Sequence, residues 1–355
     1  APASRTSPFA GTGATRTPTT PTASTPVTAW QHHIPEEVDV EDLARRITSE
    51  VLTHDWDWVK VNPRATYLPE AWGNAYDLTD YTGVLPRRTH QVIASAADLA
   101  AIQPVSVADS ASLAEHVRLI ELLRAELGDR PLLPTVFSPL SILLELAGLP
   151  SYATAAAGGT EALTTLTRWN AESPRELRAA LAAITTTLID YLAATHAAGA
   201  DGVFYAVTGT VHPSITTPDL FAALSTPYDD AVLAAVQGWR IVHTCGEFSD
   251  PARFDRPGVD AIHWDQHAAG NPDVDLNLTA ATVGGVSHLD AAANNAAAVT
   301  EQTAQALARA AHAGRTLLLA PACSVPPSVE PDTYAALTSA LRAASDPWPA
   351  TSSPA

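Results

Sequence analysis

Beyond residue 25, short and nearly continuous apolar runs alternate with longer stretches whose apolar positions recur at three- and four-residue steps. The runs read as buried strands and the stretches as amphipathic helices. Residues 40–54 show the helical pattern clearly, with Val40, Leu43, Ala44, Ile47 and Val51 on one face. Strand-like runs fall at 26–30, 58–62, 131–137, 202–207, 240–245, 261–265, 283–287 and 316–322. Helices are predicted between them over 40–54, 110–127, 139–148, 174–199, from 218 onward, over 296–313, and finally over 331–344. Ser138-Pro139 and Thr217-Pro218 each put Pro at the first helical position. Ser173-Pro174-Arg175-Glu176 predicts a capping box, with Glu176 reaching back to the cap. Residues 72–104 show no clear period and read as an insertion with short elements. Eight strands separated by helices predict an α/β protein with a parallel sheet, and eight is the number that closes a TIM (β/α)8 barrel.

Composition sets the boundaries. Residues 1–25 are a Ser/Thr/Pro-rich lead-in expected to be flexible, residues 26–346 form the barrel, and 347–355 are a tail. With 46% hydrophobic residues the bulk of the chain is globular. No uninterrupted apolar run approaches the ~18–20 residues of a membrane span, and no basic-then-apolar leader is visible, so a cytoplasmic protein is expected. The formal net charge is −18 and Lys60 is the only lysine. Such a surface repels phosphate backbones and anionic lipid, which argues against nucleic acid or membrane as partners. It also disfavours a substrate with many carboxylates unless arginines gather to meet it.

The chain has two cysteines, Cys245 and Cys323. In a cytosolic protein a disulfide is disfavoured, which leaves inert buried thiols, catalysis or metal binding. Position discriminates among these. Active sites of such barrels lie at the C-terminal ends of the strands. His243 and Cys245 end the fifth strand, spaced to share a face; Asp265 ends the sixth, His288 the seventh, and Cys323 follows the eighth. Both cysteines thus fall at the same rim. His, Cys and Cys suit Zn²⁺, and three protein ligands leave a fourth, open position, as in a catalytic rather than a structural site. Asp265 and His288 are the candidate catalytic residues; a salt-bridged carboxylate and a polar rim imidazole are the plainer alternatives. His32, His33 and Tyr205 are candidate pocket wall, and Lys60 and Arg64 are candidates to bind an acidic group.

The segments Ile241-Val-His-Thr-Cys-Gly246 and Leu318-Leu-Ala-Pro-Ala-Cys-Ser-Val-Pro-Pro327, whose cysteines are 78 positions apart, resemble the His-x-Cys…Cys zinc signature of methylcobalamin:coenzyme M methyltransferases. These belong to the uroporphyrinogen decarboxylase superfamily. Trp56-Asp-Trp-Val-Lys-Val-Asn62, Ala198-Gly-Ala-Asp201 and the run from Pro213 through Phe221 to Tyr228 resemble the wider superfamily, and the likeness extends over about 30–344. The resemblance implies a zinc enzyme with His243, Cys245 and Cys323 as ligands. It also implies a methyl group delivered by a corrinoid (methylcobalamin) on a separate carrier protein, a small thiol as acceptor, and pairing of subunits into a homodimer. By analogy with cobalamin-independent methionine synthases, Asp265 is implied as a fourth ligand that substrate displaces.

Two other readings are kept. A metal-free decarboxylase of the same superfamily would carry paired arginines after the first strand and Gly-His-Gly on the last. This chain has Trp30-Gln-His-His-Ile34 and Ala322-Cys323-Ser324 there. A non-catalytic zinc or small-ligand binding barrel would keep the ligands and lack the transfer.

Overall fold

A computed structural model of the chain describes residues 25–152, 160–327 and 329–345. Most of the lead-in and all of the tail lie outside these residues. Nine strands are present among those described: β1 Val59–Val61, β2 Ala75–Thr82, β3 Leu85–His90, β4 Leu132–Phe137, β5 Gly202–Ala206, β6 Trp239–His243, β7 Ala261–His263, β8 Ala281–Val286 and β9 Leu317–Pro321. Seven of them form one parallel sheet in the order β1-β4-β5-β6-β7-β8-β9. Residues 26–31 close it. Val27 and Gln31 bridge in parallel to Leu319 and Val325, and the Thr28 N–H donates to the Leu319 carbonyl at 3.1 Å. On the other side the Asp57 N–H donates to the Val27 carbonyl at 2.9 Å, and Thr28 Oγ1 to the Trp58 carbonyl at 2.7 Å. The opening segment is therefore the eighth stave of a TIM (β/α)8 barrel, reduced from a full strand to two bridges.

The helices follow from local chemistry. Helix Val40–His54 starts where the Asp39 carboxylate accepts the Asp42 N–H at 2.9 Å, and it buries Leu43, Ala44, Ile47 and Val51. Helices Ala111–Leu127, Pro139–Leu146 and Pro218–Leu224 are capped by Ser110, Ser138 and Thr217. The capping box expected at Ser173 does not form. Helix Glu161–Glu172, which the sequence pattern did not reveal, ends directly on it. The Ser173 N–H is spent on the Trp169 carbonyl at 2.8 Å and is not free for Glu176. Helix Pro174–Ala197 is long and apolar enough to cross a membrane, but 56% of its most apolar window is buried, as in a core helix.

Where β5 and β6 begin, the backbones nearly touch. A Cβ on Gly238 (φ +98°) would sit 2.0 Å from the Asp201 carbonyl oxygen, so only glycine fits there. The unpatterned insertion holds the antiparallel β2–β3 pair. Its turn, Gly83-Val84, and Leu85 at the start of β3 form part of the wall of the cavity at the barrel mouth. Inside the barrel, Trp30, Trp58, Leu133, Phe204, Ile241 and Leu318 pack together, and Trp30 and Phe204 of this cluster line that cavity.

Candidate metal centre

His243 is the last residue of β6, and Cys245 lies two residues on, in the loop and not on the strand as the sequence suggested. Its N–H is held by the Thr208 carbonyl at 2.8 Å. Cys323 follows β9 by two residues. The ligand atoms of His243, Cys245 and Cys323 all lie within 4.8 Å of one another, and the two sulfurs are 3.8 Å apart. That is far beyond a disulfide bond of about 2.05 Å. It equals the edge of a tetrahedron with Zn–S bonds of about 2.3 Å, roughly 3.8 Å. The donor set and its spacing fit a zinc ion.

Asp265 and His288 stand outside this trio. They face each other, Oδ2 to Nδ1, at 3.7 Å, and Asp265 Oδ1 accepts the His267 N–H at 2.9 Å. Burial lowers the His288 pKa and the Asp265 carboxylate opposes that shift.

The centre lies in the wall of a cavity of about 530 Å³, shared with Trp30, Lys60, Phe137 and Phe204. Lys60 Nζ donates to Asn62 Oδ1 at 2.6 Å and sits 4.9 Å from the Phe204 ring and 5.3 Å from that of Trp30. No carboxylate pairs with it among the described contacts, and burial pulls its pKa down to about 7 against the pull of the two sulfurs. Arg64 also borders the cavity, but its guanidinium is committed to Glu70 at 2.8 Å, Glu115 at 3.0 Å and the Glu37 carbonyl at 3.1 Å. The two thiols share a hydrogen bond. Cys323 ionises first, its thiolate favoured by the hydrogen bond from Cys245, the Ser324 N–H and the Lys60 charge. Cys245 is pushed up, first by that same bond and then by burial.

Sequence reasoning missed His263, the last residue of β7. It is fully buried, and its Nδ1 lies 2.7 Å from His243 Nδ1. Burial, reinforced by Lys60 and only partly opposed by the Pro321 carbonyl, pushes His263 down to about 3. His243 is lowered as well, by burial, then His263, then Lys60. Of the other candidates, His32 borders the cavity, its Nδ1 2.6 Å from Glu37 Oε1. His33 turns to Glu50 at 3.4 Å. Tyr205 is not pocket wall: Phe204 and Ala206 take that face of β5, and alternation sends the Tyr205 hydroxyl outward to Asp229 Oδ1 at 2.6 Å.

Comparison with known proteins agrees with this architecture. The family profile described as uroporphyrinogen decarboxylase (URO-D) matches residues 29–344. No curated protein matches the chain. Among solved structures, a methyltransferase from Methanosarcina mazei is similar with a TM-score of 0.71 and 18% identity, over 91% of this chain and 95% of that one. A B12-independent methionine synthase from Shewanella sp. W3-18-1, in complex with selenomethionine, is similar with a TM-score of 0.53 and 13% identity, over 91% and 92%.

Proposed function

The chain belongs to the uroporphyrinogen decarboxylase family, and within it we propose a zinc-dependent methyltransferase that moves a methyl group from a corrinoid carrier protein to a small thiol. The observation that carries this reading is one imidazole and two sulfurs within 4.8 Å of one another at a cavity wall, with the sulfurs at a tetrahedral edge length. His243, Cys245 and Cys323 would hold the ion and leave one position for the acceptor. Zinc bound there would lower the acceptor's pKa and keep it a thiolate near neutral pH. The acceptor sulfur would then form the new S–C bond, while the electron pair of the Co–C bond stays on the corrinoid.

The chain's own residues supply the rest. Trp30, Phe137 and Phe204 make the cavity apolar and exclude water from the sulfur to be alkylated. The Lys60 ammonium offsets the negative charge that two protein thiolates and a third sulfur bring together. Polycarboxylate decarboxylation is disfavoured because Arg64, the one arginine bordering the cavity among the described residues, is already tied to Glu70 and Glu115.

Purification without chelator should give one zinc per chain, and methylcobalamin should be demethylated by some member of a panel of small thiols. Cys323→Ser and Cys245→Ser should each lose the zinc and lower the rate by at least about 100-fold. A metal-free protein with both thiols open to titration would sink the proposal. Bound zinc without turnover of any thiol would favour a binding barrel instead.

A further inference from the structure

The hydrogen bonds of the two buried histidines admit a single placement of their ring protons. His263 Nε2 lies 2.9 Å from the carbonyl oxygen of Pro321. A carbonyl only accepts, so the His263 proton is on Nε2. With that proton on Nε2, His263 Nδ1 is left with a lone pair. It sits 2.7 Å from His243 Nδ1, a separation that requires one proton between the two nitrogens. That proton belongs to His243 Nδ1, for which the His263 carbonyl oxygen at 3.3 Å is a further acceptor. His243 Nε2 is then unprotonated and is the ring atom left to bind a cation.

We propose that His263 is a positioning residue for the metal centre, passing the acceptor character of the Pro321 carbonyl through its ring to hold His243 in the Nδ1–H tautomer. The relay links three strands: Pro321 on β9, His263 on β7 and His243 on β6. Pro321 is two residues before Cys323, so the strand that leads to one sulfur ligand also sets the proton on the nitrogen ligand. Trp30 and Phe204, with ring centroids 5.1 and 5.5 Å from that of His263, fix the imidazole in place. The purpose of the relay rests on the zinc reading above; the tautomers do not.

Long-range ¹H–¹⁵N spectra of the metal-free protein should show His243 protonated on Nδ1 and His263 on Nε2. A proton on His243 Nε2 overturns the relay. His263→Phe keeps an aromatic ring among Trp30 and Phe204 but removes both hydrogen bonds. His263→Gln retains an N–H for Pro321 and an oxygen for His243. Zinc affinity, measured by competition with a chromogenic chelator, should fall about 10- to 100-fold in His263→Phe and stay within about threefold of the parent in His263→Gln. Unchanged affinity in a folded His263→Phe protein contradicts the proposal, and if that variant does not fold, the parent spectrum decides alone. A parent protein that shows the assigned tautomers and binds no zinc refutes the zinc reading and leaves the relay standing.

Discussion

Lys60 shows how much one side chain in the site costs. Its ammonium is buried against Trp30 and Phe204 with one hydrogen-bond partner, Asn62, and its pKa falls from 10.5 to about 7. Between those values the unfolded chain holds the proton and the folded chain does not, so stability rises with pH across that window. Below about pH 7 both states are charged and the folded state bears the whole penalty. In the metal-free protein, Lys60→Met should therefore be more stable than the parent at pH 6, by roughly 2–4 kcal/mol, with the gap closing towards pH 10. Denaturant melts at the two pH values measure this, and coincident curves at pH 6 would refute it. The legibility of the site differed residue by residue. Cys245 and Cys323 stood out because they are the only cysteines and both fall at strand ends. His263 did not, because its partner His243 is its register mate on the neighbouring strand, 20 positions away, and no spacing along the chain marks such a pair. Asp265 was legible as a rim residue, but its pairing with His288 depends on loop paths that follow no period.

At the scale of elements, periodicity succeeded where one face is buried and failed where none is. Helix Val40–His54 matches its predicted span end to end because Leu43, Ala44, Ile47 and Val51 have nowhere to go but inward. Most strands came out slightly shorter than predicted, β6 and β7 each ending two residues early at His243 and His263, while β8 begins two residues before its predicted start. The β2–β3 hairpin was invisible as strands because both faces are largely exposed, so its sequence carries no alternation to read. That exposed pair still has work to do at the cavity, where Val84 of its turn and Leu85 of β3 cover part of the mouth. Val84→Ser with Leu85→Ser should raise the KM for the acceptor by roughly 3- to 10-fold, the loss of about 1 kcal/mol of apolar contact. Zinc content should not move. If the double variant loses metal as well, the hairpin supports the centre itself rather than only the bound acceptor.

The whole barrel is closed by weak joints, which gives a centre built across it an effect on global stability. The stave of residues 26–31 meets β9 through one isolated bridge, Val27 to Leu319, and the loop after β9 through a second, Gln31 to Val325, and β1 and β7 contribute three residues each. His243 and Cys245 arrive from β6 and Cys323 from β9, with β7 and β8 between them in the sheet. An ion held by all three would tie together strands that are not neighbours in the sheet, and it would bind the folded chain far better than the unfolded one. Linkage then requires stability to follow metal occupancy, by about 2.7 kcal/mol when free zinc is 100-fold above its Kd. For a chain of this length that amounts to a drop in Tm of roughly 3–8 °C on adding a strong chelator, reversed by restoring zinc. Cys323→Ser should melt at the chelated parent's temperature and show no response to chelator. A parent Tm indifferent to both chelator and zinc would mean that the imidazole and the two sulfurs do not share an ion in the folded protein, whatever their spacing.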